Sequence, residues 1–265
     1  SMSGRKETLT VLFSDVVGFT SISERLSPHD LAIFINEYLT TMSMAIRNTG
    51  GTLDKYIGDA IMAFWGAPVA DDAHATHAVM AALVMQEKVL ELRENFRARG
   101  WPSISIGIGV STGEMTVGDM GSKIRRAYTV MGDAVNLGSR LEGITRQYGV
   151  GILVTEETAR AVKGVLFREI DMVRVKGKEN PIRIYQPLGI ESEGSPEFRT
   201  QAMRWSAALD AYRSQQWVLA ESILRELRAI APEDGLYGVY LERVAEMKRV
   251  PPPADWDGVK KFDSK

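Results

Sequence analysis

Short apolar runs alternate with helical stripes along residues 1–188 of the chain. Apolar side chains recur every three or four positions from Leu31 to Ile46 and from Ala75 to Phe96, which predicts two long helices. A third helix is predicted from Ala134 to Tyr148, and a short one from Glu156 to Val162. Strands are predicted at residues 8–14, 52–56, 60–65, 103–111, 127–131, 149–155, 167–175 and 182–186. This order predicts an α+β, ferredoxin-like fold in which helices flank a mainly antiparallel sheet.

The strand predicted at 103–111 has apolar residues on one face and Ser105, Gly107 and Gly109 on the other. Because a face without side chains allows a close approach, we expect another element to pack very near this strand. Residues 112–121 are expected to form a turn and a hairpin arm.

The composition changes at residues 189–197, where Glu, Ser, Gly and Pro predict a linker. The helical stripes beyond it resemble a single tetratricopeptide unit, which needs a surface to pack on because one copy cannot form a solenoid. Ser1-Met2 resembles the remnant of an expression tag. The predicted segments are the start at 1–7, a main domain at 8–188, the linker at 189–197, a helical appendage at 198–250 and a Pro-rich tail at 251–265.

Composition and charge narrow the possible functional classes. A net charge of −2 gives no electrostatic case for a nucleic-acid partner. The chain has no cysteine, which excludes disulfides and thiolate metal sites and fits a reducing compartment. No apolar run approaches the roughly 18 residues of a membrane span, and no signal peptide is visible. We therefore expect no membrane contact by this segment and a cytoplasmic location, with an upstream sensor or membrane region left open.

Two aspartates are the candidate metal ligands. Asp15 ends the first predicted strand and is followed by a Gly18-Phe19-Thr20 turn, whose backbone N–H groups can hold phosphate oxygens. Asp59 follows the strand at 52–56. Two carboxylates brought together would suit two-metal phosphoryl transfer, and two unrelated turn aspartates are the alternative.

Five further polar residues are candidates for substrate contacts. Asn136 and Arg140 are four apart, so they share one helical face, which Gly138 is expected to keep open. The guanidinium of Arg140 suits a phosphate group. Each of these residues, taken alone, also fits a purely structural role. Asn136 and Arg140 fit a solvent-exposed helix face, and Lys55, Thr129 and Lys176 fit ordinary positions in strands or turns.

Four ordered motifs point to one family. They lie at residues 13–20, 54–60, 128–140 and 175–178. Because of these motifs, residues 8–188 resemble the class III nucleotidyl cyclases, and the adenylate cyclases in particular. The chain has neither a P-loop nor the Gly-Gly-Asp/Glu-Glu-Phe hairpin of diguanylate cyclases.

The resemblance implies that Asp15, Asp59 and the carbonyl oxygen of Val16 bind two Mg²⁺ or Mn²⁺ ions per site. It implies that Lys55 and Thr129 select the adenine base.

The remaining implied contacts are to the ribose and the phosphates. Asn136 would orient the ribose, and Arg140 would stabilise the charge on the transferred phosphoryl group. The Gly18-Phe19-Thr20 turn would hold the triphosphate through the amides of Phe19 and Thr20, and Lys176 would hold the terminal phosphates.

The resemblance therefore implies an adenylate cyclase, which converts ATP to 3′,5′-cyclic AMP and pyrophosphate. In this family the metal aspartates come from one subunit and the other side chains from its partner. Because the chain carries both sets, a homodimer with sites at the interface is expected. A nucleotide-binding pseudo-cyclase and a guanylate or diguanylate cyclase-like enzyme are the alternatives.

Overall fold

A computed structural model describes residues 4–262, which form two compact units. Unit 1 runs to Gly143 and includes Gly151–Lys163, whereas unit 2 consists of Ile144–Val150 and the chain from Gly164 onward. The expected tag remnant and the last three residues of the expected tail lie outside the described residues. Within residues 4–262, every helix is too short or too polar to span a lipid bilayer.

The described part of unit 1 contains six strands and four complete helices. The strands are β1 (Arg5–Val16), β2 (Thr52–Ile57), β3 (Ala60–Trp65), β4 (Ile106–Gly121), β5 (Arg126–Met131) and β6 (Ile152–Thr155). The helices are α1 (Phe19–Arg25), α2 (Pro28–Asn48), α3 (His74–Ala98) and α5 (Glu156–Ala161), and α4 (Asp133–Tyr148) begins in this unit. β1 pairs antiparallel with β3 and β4, β2 with β3 and β5 with β4, while β6 runs parallel to β4. The α+β, mainly antiparallel fold expected from the sequence is confirmed.

The long helices begin and end where the sequence predicts. The hydroxyl of Ser27 accepts a hydrogen bond from the backbone N–H of Asp30, and Pro28 occupies the first turn of α2. Gly50, with φ of +81°, ends this helix. The predicted apolar stripe of α3 is buried from Ala75 to Phe96. Tertiary burial of one face therefore accounts for both helices.

β4 is longer than the sequence suggested, and the turn expected after Ser111 is wrong. The strand continues to Gly121 and stays paired with β1 as far as Val117. The hydroxyl of Thr112, at the expected turn, lies 2.9 Å from that of Thr10 and 2.8 Å from that of Thr158. A buried hydroxyl network thus holds a polar pair, Thr112-Gly113, inside the strand.

The bare face of β4 receives helix α4 at backbone contact. A Cβ at Gly109 would lie 2.3 Å from the carbonyl oxygen of Gly138 and 2.4 Å from the backbone nitrogen of Glu142. The close approach expected from the glycines of this strand is therefore confirmed. Gly138 itself faces Val11 and Phe13 of β1, since Cβ there would lie 3.1 and 3.2 Å from their side chains. The expectation that Gly138 keeps the Asn136 face open is wrong, because two residues turn a helix by about 200°.

The end of β4 and strand β5 lie over the face of the sheet. Val117 and Val130 join one buried cluster with Val11 and Phe64, and the rings of Phe64 and Tyr128 are 6.1 Å apart. This packing brings β5 close to the β2–β3 hairpin, although β5 is hydrogen-bonded to β4 and not to β2 or β3 in the sheet.

Unit 2 combines strands with a helical array. Its elements are β7 (Val165–Val175), β8 (Ile182–Ile190), a 3₁₀ turn (Glu191–Glu193), α6 (Pro196–Arg213), α7 (Trp217–Ile230), α8 (Gly235–Arg249) and β9 (Lys260–Phe262). β7 pairs antiparallel with β8 and parallel with β9. β9 lies in the expected tail; three residues are too few to produce a periodic signal, and tertiary pairing creates the strand.

Buried polar contacts join the helices of unit 2 to β7. Asp171, whose side chain is fully buried, lies 2.8 Å from the guanidinium of Arg243 and accepts a hydrogen bond from the hydroxyl of Tyr148. The indole of Trp205 donates to the carbonyl oxygen of Glu169 at 2.6 Å, and the hydroxyl of Tyr240 donates to that of Ile170 at 2.6 Å. Helices α6 and α8 therefore pack against β7 of the same unit.

Replacing Arg243 with Met should destabilise the protein by about 3–5 kcal/mol, because Asp171 would remain as an uncompensated buried charge. The matched control is Arg204→Met, which breaks an exposed ion pair with Glu226 and should cost less than about 1 kcal/mol. Urea unfolding followed by tryptophan fluorescence measures both. Equal losses in the two variants would contradict this account.

Gly109→Ala should destabilise unit 1 by about 1–3 kcal/mol, since the added methyl group overlaps the backbone of α4. Gly143→Ala lies on an exposed turn of the same helix, where no described atom beyond the chain neighbours and the helix's own backbone is within 4 Å of the added Cβ, and it should instead stabilise by about 0.5–1 kcal/mol. Thermal unfolding of the two variants tests this opposite pair of signs. A Gly109→Ala protein as stable as the parent would refute the backbone contact.

Candidate active site

Asp15 and Asp59 meet at one end of unit 1. Asp15 is the penultimate residue of β1, opposite Gly107 of β4, and Asp59 occupies the turn between β2 and β3. Because β3 pairs antiparallel with β1, this turn lies beside the end of β1. The backbone N–H of Val16 donates to Oδ2 of Asp59 at 3.0 Å, which holds the Asp59 carboxyl group beside the residue that follows Asp15. The structure thus brings together the two side chains that the sequence proposed as metal ligands.

The electrostatics of this pair suit a bound cation. Burial raises the pKa of Asp15 to about 7, with further contributions from its hydrogen bond to Asp59 and from the charges of Asp59 and Glu142. A positive ion beside the pair would offset both the lost hydration and the repulsion. Two carboxylates and the carbonyl of Val16 are hard oxygen donors of the kind that Mg²⁺ takes together with water and substrate phosphates. The residues therefore fit the implied divalent metals.

Metal clusters of three or more acidic or histidine side chains do not occur within residues 4–262. The site therefore offers two carboxylates, and a bound ion would take its remaining oxygen ligands from elsewhere.

The turn after β1 presents backbone donors beside this pair. Gly18 has φ of +64° and ψ of 35°, a left-handed conformation that favours glycine, and α1 begins at Phe19. The N–H of Val17 donates to the carbonyl oxygen of Ser105 at 2.9 Å, which fixes the turn against the chain before β4. The N–H groups of Phe19 and Thr20 belong to the first turn of α1, where a helix offers no carbonyl acceptors of its own.

Lys55 and Thr129 are brought together by a residue to which the sequence assigned no role, Asp54. Its side chain is fully buried and accepts a hydrogen bond from the hydroxyl of Thr129. Its other oxygen, Oδ1, is 3.6 Å from the Nζ atom of Lys55, whose side chain is 45% exposed. Asp54 occupies a bulge in β2, where the register with β3 shifts between Leu53 and Lys55. The bulge lets consecutive polar residues, Asp54 and Lys55, contribute to one cluster.

Asn136 and Arg140 lie in the first two turns of α4. The N–H of Asn136 donates to the carbonyl of Gly132 at 3.1 Å, so Asn136 is already within the helical hydrogen-bond ladder. Asn136 is exposed and Arg140 half-buried. Both lie away from Gly138, which faces the sheet.

Lys176 belongs to unit 2. It follows β7 in a tight turn, in which the N–H of Lys178 donates to the carbonyl of Val175 at 3.1 Å and Gly177 has φ of +84°. The turn expected from the sequence is present, and the role of Lys176 stays a prediction.

Sequence reasoning missed two acidic residues of this region. Asp54 and Lys55 are consecutive polar residues in a predicted strand, and they break its alternation of apolar and polar positions. That break was the signal in the sequence that could have identified Asp54. Glu142 raises the pKa of Asp15 from the second turn after Asn136, and a lone glutamate on a helix gives no such signal.

Comparison with known proteins assigns the family. The family model described as "Adenylate and Guanylate cyclase catalytic domain" matches residues 2–186. The adenylate cyclase of Anabaena cylindrica is 42% identical over 186 residues, which cover 67% of this chain and 36% of that protein. The chain thus spans about a third of the length of that curated relative.

Two solved structures resemble the fold. The adenylyl cyclase CyaB from P. aeruginosa is 36% identical with a TM-score of 0.68, covering 73% of this chain and all of that one. The guanylyl cyclase Cya2 is 34% identical with a TM-score of 0.65, covering 74% of this chain and 97% of that one. The four sequence motifs, the paired aspartates and the family match over most of the chain lead to one conclusion: this chain belongs to the class III nucleotidyl cyclases.

Proposed function

We infer that this chain is an adenylate cyclase that converts ATP to 3′,5′-cyclic AMP and pyrophosphate. The observation that carries the inference is the pairing of Asp15 and Asp59 at adjacent strand ends, where the N–H of Val16 donates to the carboxylate of Asp59. The similarity to the adenylate cyclase of Anabaena cylindrica and to the adenylyl cyclase CyaB supports it.

Asp15, Asp59 and the carbonyl oxygen of Val16 would hold two Mg²⁺ or Mn²⁺ ions. Such ions, when bound, lower the pKa of a coordinated hydroxyl and neutralise phosphate charge. Burial and the neighbouring charges of Asp59 and Glu142 raise the pKa of Asp15, and a bound cation would offset these effects.

The reaction is an intramolecular displacement at phosphorus. The 3′-oxygen of the ribose forms a bond to the α-phosphorus, the bond to the β-phosphate oxygen breaks, and pyrophosphate carries away the bonding electrons. The hydroxyl proton passes to solvent or to a phosphate oxygen. No protein nucleophile is required, because phosphoryl transfer depends mainly on positioning and charge stabilisation.

Each predicted contact has a distinct part in this reaction. The amides of Phe19 and Thr20 would hold the triphosphate in line, and Asn136 would orient the ribose. Arg140 would stabilise the negative charge that develops on the transferred group, and Lys176 would hold the leaving pyrophosphate.

Base selection distinguishes the two nucleotide substrates. Lys55 would donate to N1 of adenine, and the hydroxyl of Thr129 would accept from the exocyclic amine. Guanylate cyclase activity is the second candidate, favoured by the likeness to the guanylyl cyclase Cya2. Turnover of ATP and GTP measured side by side decides between them.

The site is shared between two copies of the chain. One copy would supply Asp15 and Asp59, and the other would supply Lys55, Thr129, Asn136, Arg140 and Lys176. A chain that carries both sets fits a homodimer with two equivalent interfacial sites.

Mixing two inactive variants tests both the chemistry and the sharing of sites. Asp15→Ala and Arg140→Ala should each lower cyclic AMP formation by about 10²–10³-fold, since each removes charge stabilisation. After the chains are mixed and allowed to exchange, activity should recover to about a quarter of the parent, because half of the dimers contain one intact site.

The matched control mixes Asp15→Ala with Asp59→Ala. Both changes fall on the same side of the site, so no dimer has an intact one and no recovery is expected. Recovery in this control, or none in the first mixture, would contradict the shared site.

Binding of Mn²⁺ without nucleotide should raise the melting temperature of the parent, and Asp59→Asn should reduce that rise by removing a charged ligand. At a metal concentration a hundred times the dissociation constant, the stabilisation is about 2.7 kcal/mol. Asp210→Asn, an exposed change in α6, is the control and should leave the rise unaltered. Chelation with EDTA should abolish cyclic AMP formation. An equal rise in Asp59→Asn would place the metal elsewhere.

A further inference from the structure

Asp54 occupies an unusual position beside the two residues that are predicted to contact the base. Its carboxylate is fully buried, yet within residues 4–262 only one of its oxygens has a hydrogen-bond donor, the hydroxyl of Thr129. The other, Oδ1, has no hydrogen-bond partner among the described residues and lies 3.6 Å from the ammonium group of Lys55. A buried carboxylate oxygen without a donor is costly, so a nearby positive charge is its main compensation.

The hydrogen bond to Asp54 decides what Thr129 can offer to a ligand. A threonine hydroxyl has one proton to donate and two lone pairs that accept. An ionised carboxylate can only accept, so the bond between the two residues must use the proton of Thr129. The hydroxyl then presents only lone pairs to anything else that approaches it.

This restriction matches one purine and opposes the other. Adenine presents an exocyclic amine, a donor, at the position where guanine presents a carbonyl oxygen, an acceptor. At the neighbouring ring nitrogen adenine accepts, whereas guanine donates. The Thr129 hydroxyl, which can only accept, and the Lys55 ammonium, which can only donate, therefore complement adenine. With guanine the hydroxyl would face another acceptor and the ammonium would face another donor.

We propose that Asp54 is the positioning residue that sets base specificity, by turning the Thr129 hydroxyl into an obligate acceptor and holding the Lys55 ammonium beside it. The proposal rests on the proposed cyclase function and names a residue for which that function alone gives no role. Asp54 touches no substrate; it acts through its two neighbours.

Asp54→Asn reverses the hydrogen bond at almost unchanged volume. The asparagine can turn either its oxygen or its amino group toward Thr129. Placing the amino group against the Lys55 ammonium would bring two donors together, so the oxygen turns to Lys55 and the amino group donates to Thr129. The proton of Thr129 is then released toward the base, where it can be donated to the carbonyl of guanine.

The test compares kcat/KM for ATP and GTP in the full chain. Asp54→Asn should reduce the ATP-to-GTP ratio by about tenfold to a hundredfold, the worth of one buried hydrogen bond made or left unsatisfied. The change should appear mainly in KM. Because the ratio is taken within one preparation, any unfolded fraction cancels. Asp54→Glu, which keeps the carboxylate, should retain more of the parent preference than Asp54→Asn.

A double-mutant cycle separates this role from a structural one. In a Thr129→Val background there is no hydroxyl to orient and only the effect on Lys55 remains, so Asp54→Asn should reduce the ATP-to-GTP ratio by less than it does in the parent. An equal reduction in both backgrounds, or an unaltered ratio in Asp54→Asn alone, overturns the proposal. If Asp54→Asn yields no folded protein, Thr129→Ser must keep the ATP preference and Thr129→Val must lose it; any other result overturns the proposal.

Failure of the proposed function would look different. If the parent chain converts neither ATP nor GTP, the cyclase assignment fails, and the same ratio is measured as equilibrium binding of the two nucleotides by calorimetry. A binding preference for ATP that is lost in Asp54→Asn would support the role of Asp54, and an unaltered preference would overturn it.

Discussion

Two carboxylates within hydrogen-bonding reach repel each other, and in a half-buried position water screens that repulsion poorly. The rest of unit 1 holds Asp15 and Asp59 in this arrangement. β1 is paired along both edges, with β3 and with β4, so its end cannot move away from the β2–β3 turn. The amide of Val16 then fixes Asp59 by a direct hydrogen bond. The stability of the sheet is thus what maintains a charge arrangement that would relax in a looser fold.

Around this pair, small residues determine which backbones can approach each other. Gly109 lets α4 rest on the backbone of β4, and Gly138 lets it rest on the side chains of Val11 and Phe13 of β1, so the two glycines fix the depth of the helix that carries Asn136 and Arg140. If an added methyl group pushed α4 away from the sheet, the side chains of Asn136 and Arg140 would move together with the helix. The precision of that part of the site is therefore set by two residues that have no functional groups.

Local periodicity was enough to predict the long helices, the β2–β3 hairpin and the antiparallel sheet, because each buries one face. It failed where tertiary contacts overrule local preference. Thr112 and Gly113 looked like a turn and are held in β4 by a buried hydroxyl network. The role of Asp54 could not be predicted, since it depends on β5 folding over the sheet to bring Thr129, 75 positions away, to its carboxylate.

The pairing of β9 with β7 has a mechanical consequence. Lys260 to Phe262 lie beside Val173 to Val175, the residues that immediately precede the Lys176 turn. A pulling force applied at the carboxyl end of the chain would act on the short pairing of β9 with β7 before it reached any helix. A fluorescent tag fused directly after Phe262 would therefore begin next to the Lys176 turn, whereas one fused directly before Arg5 would begin at β1.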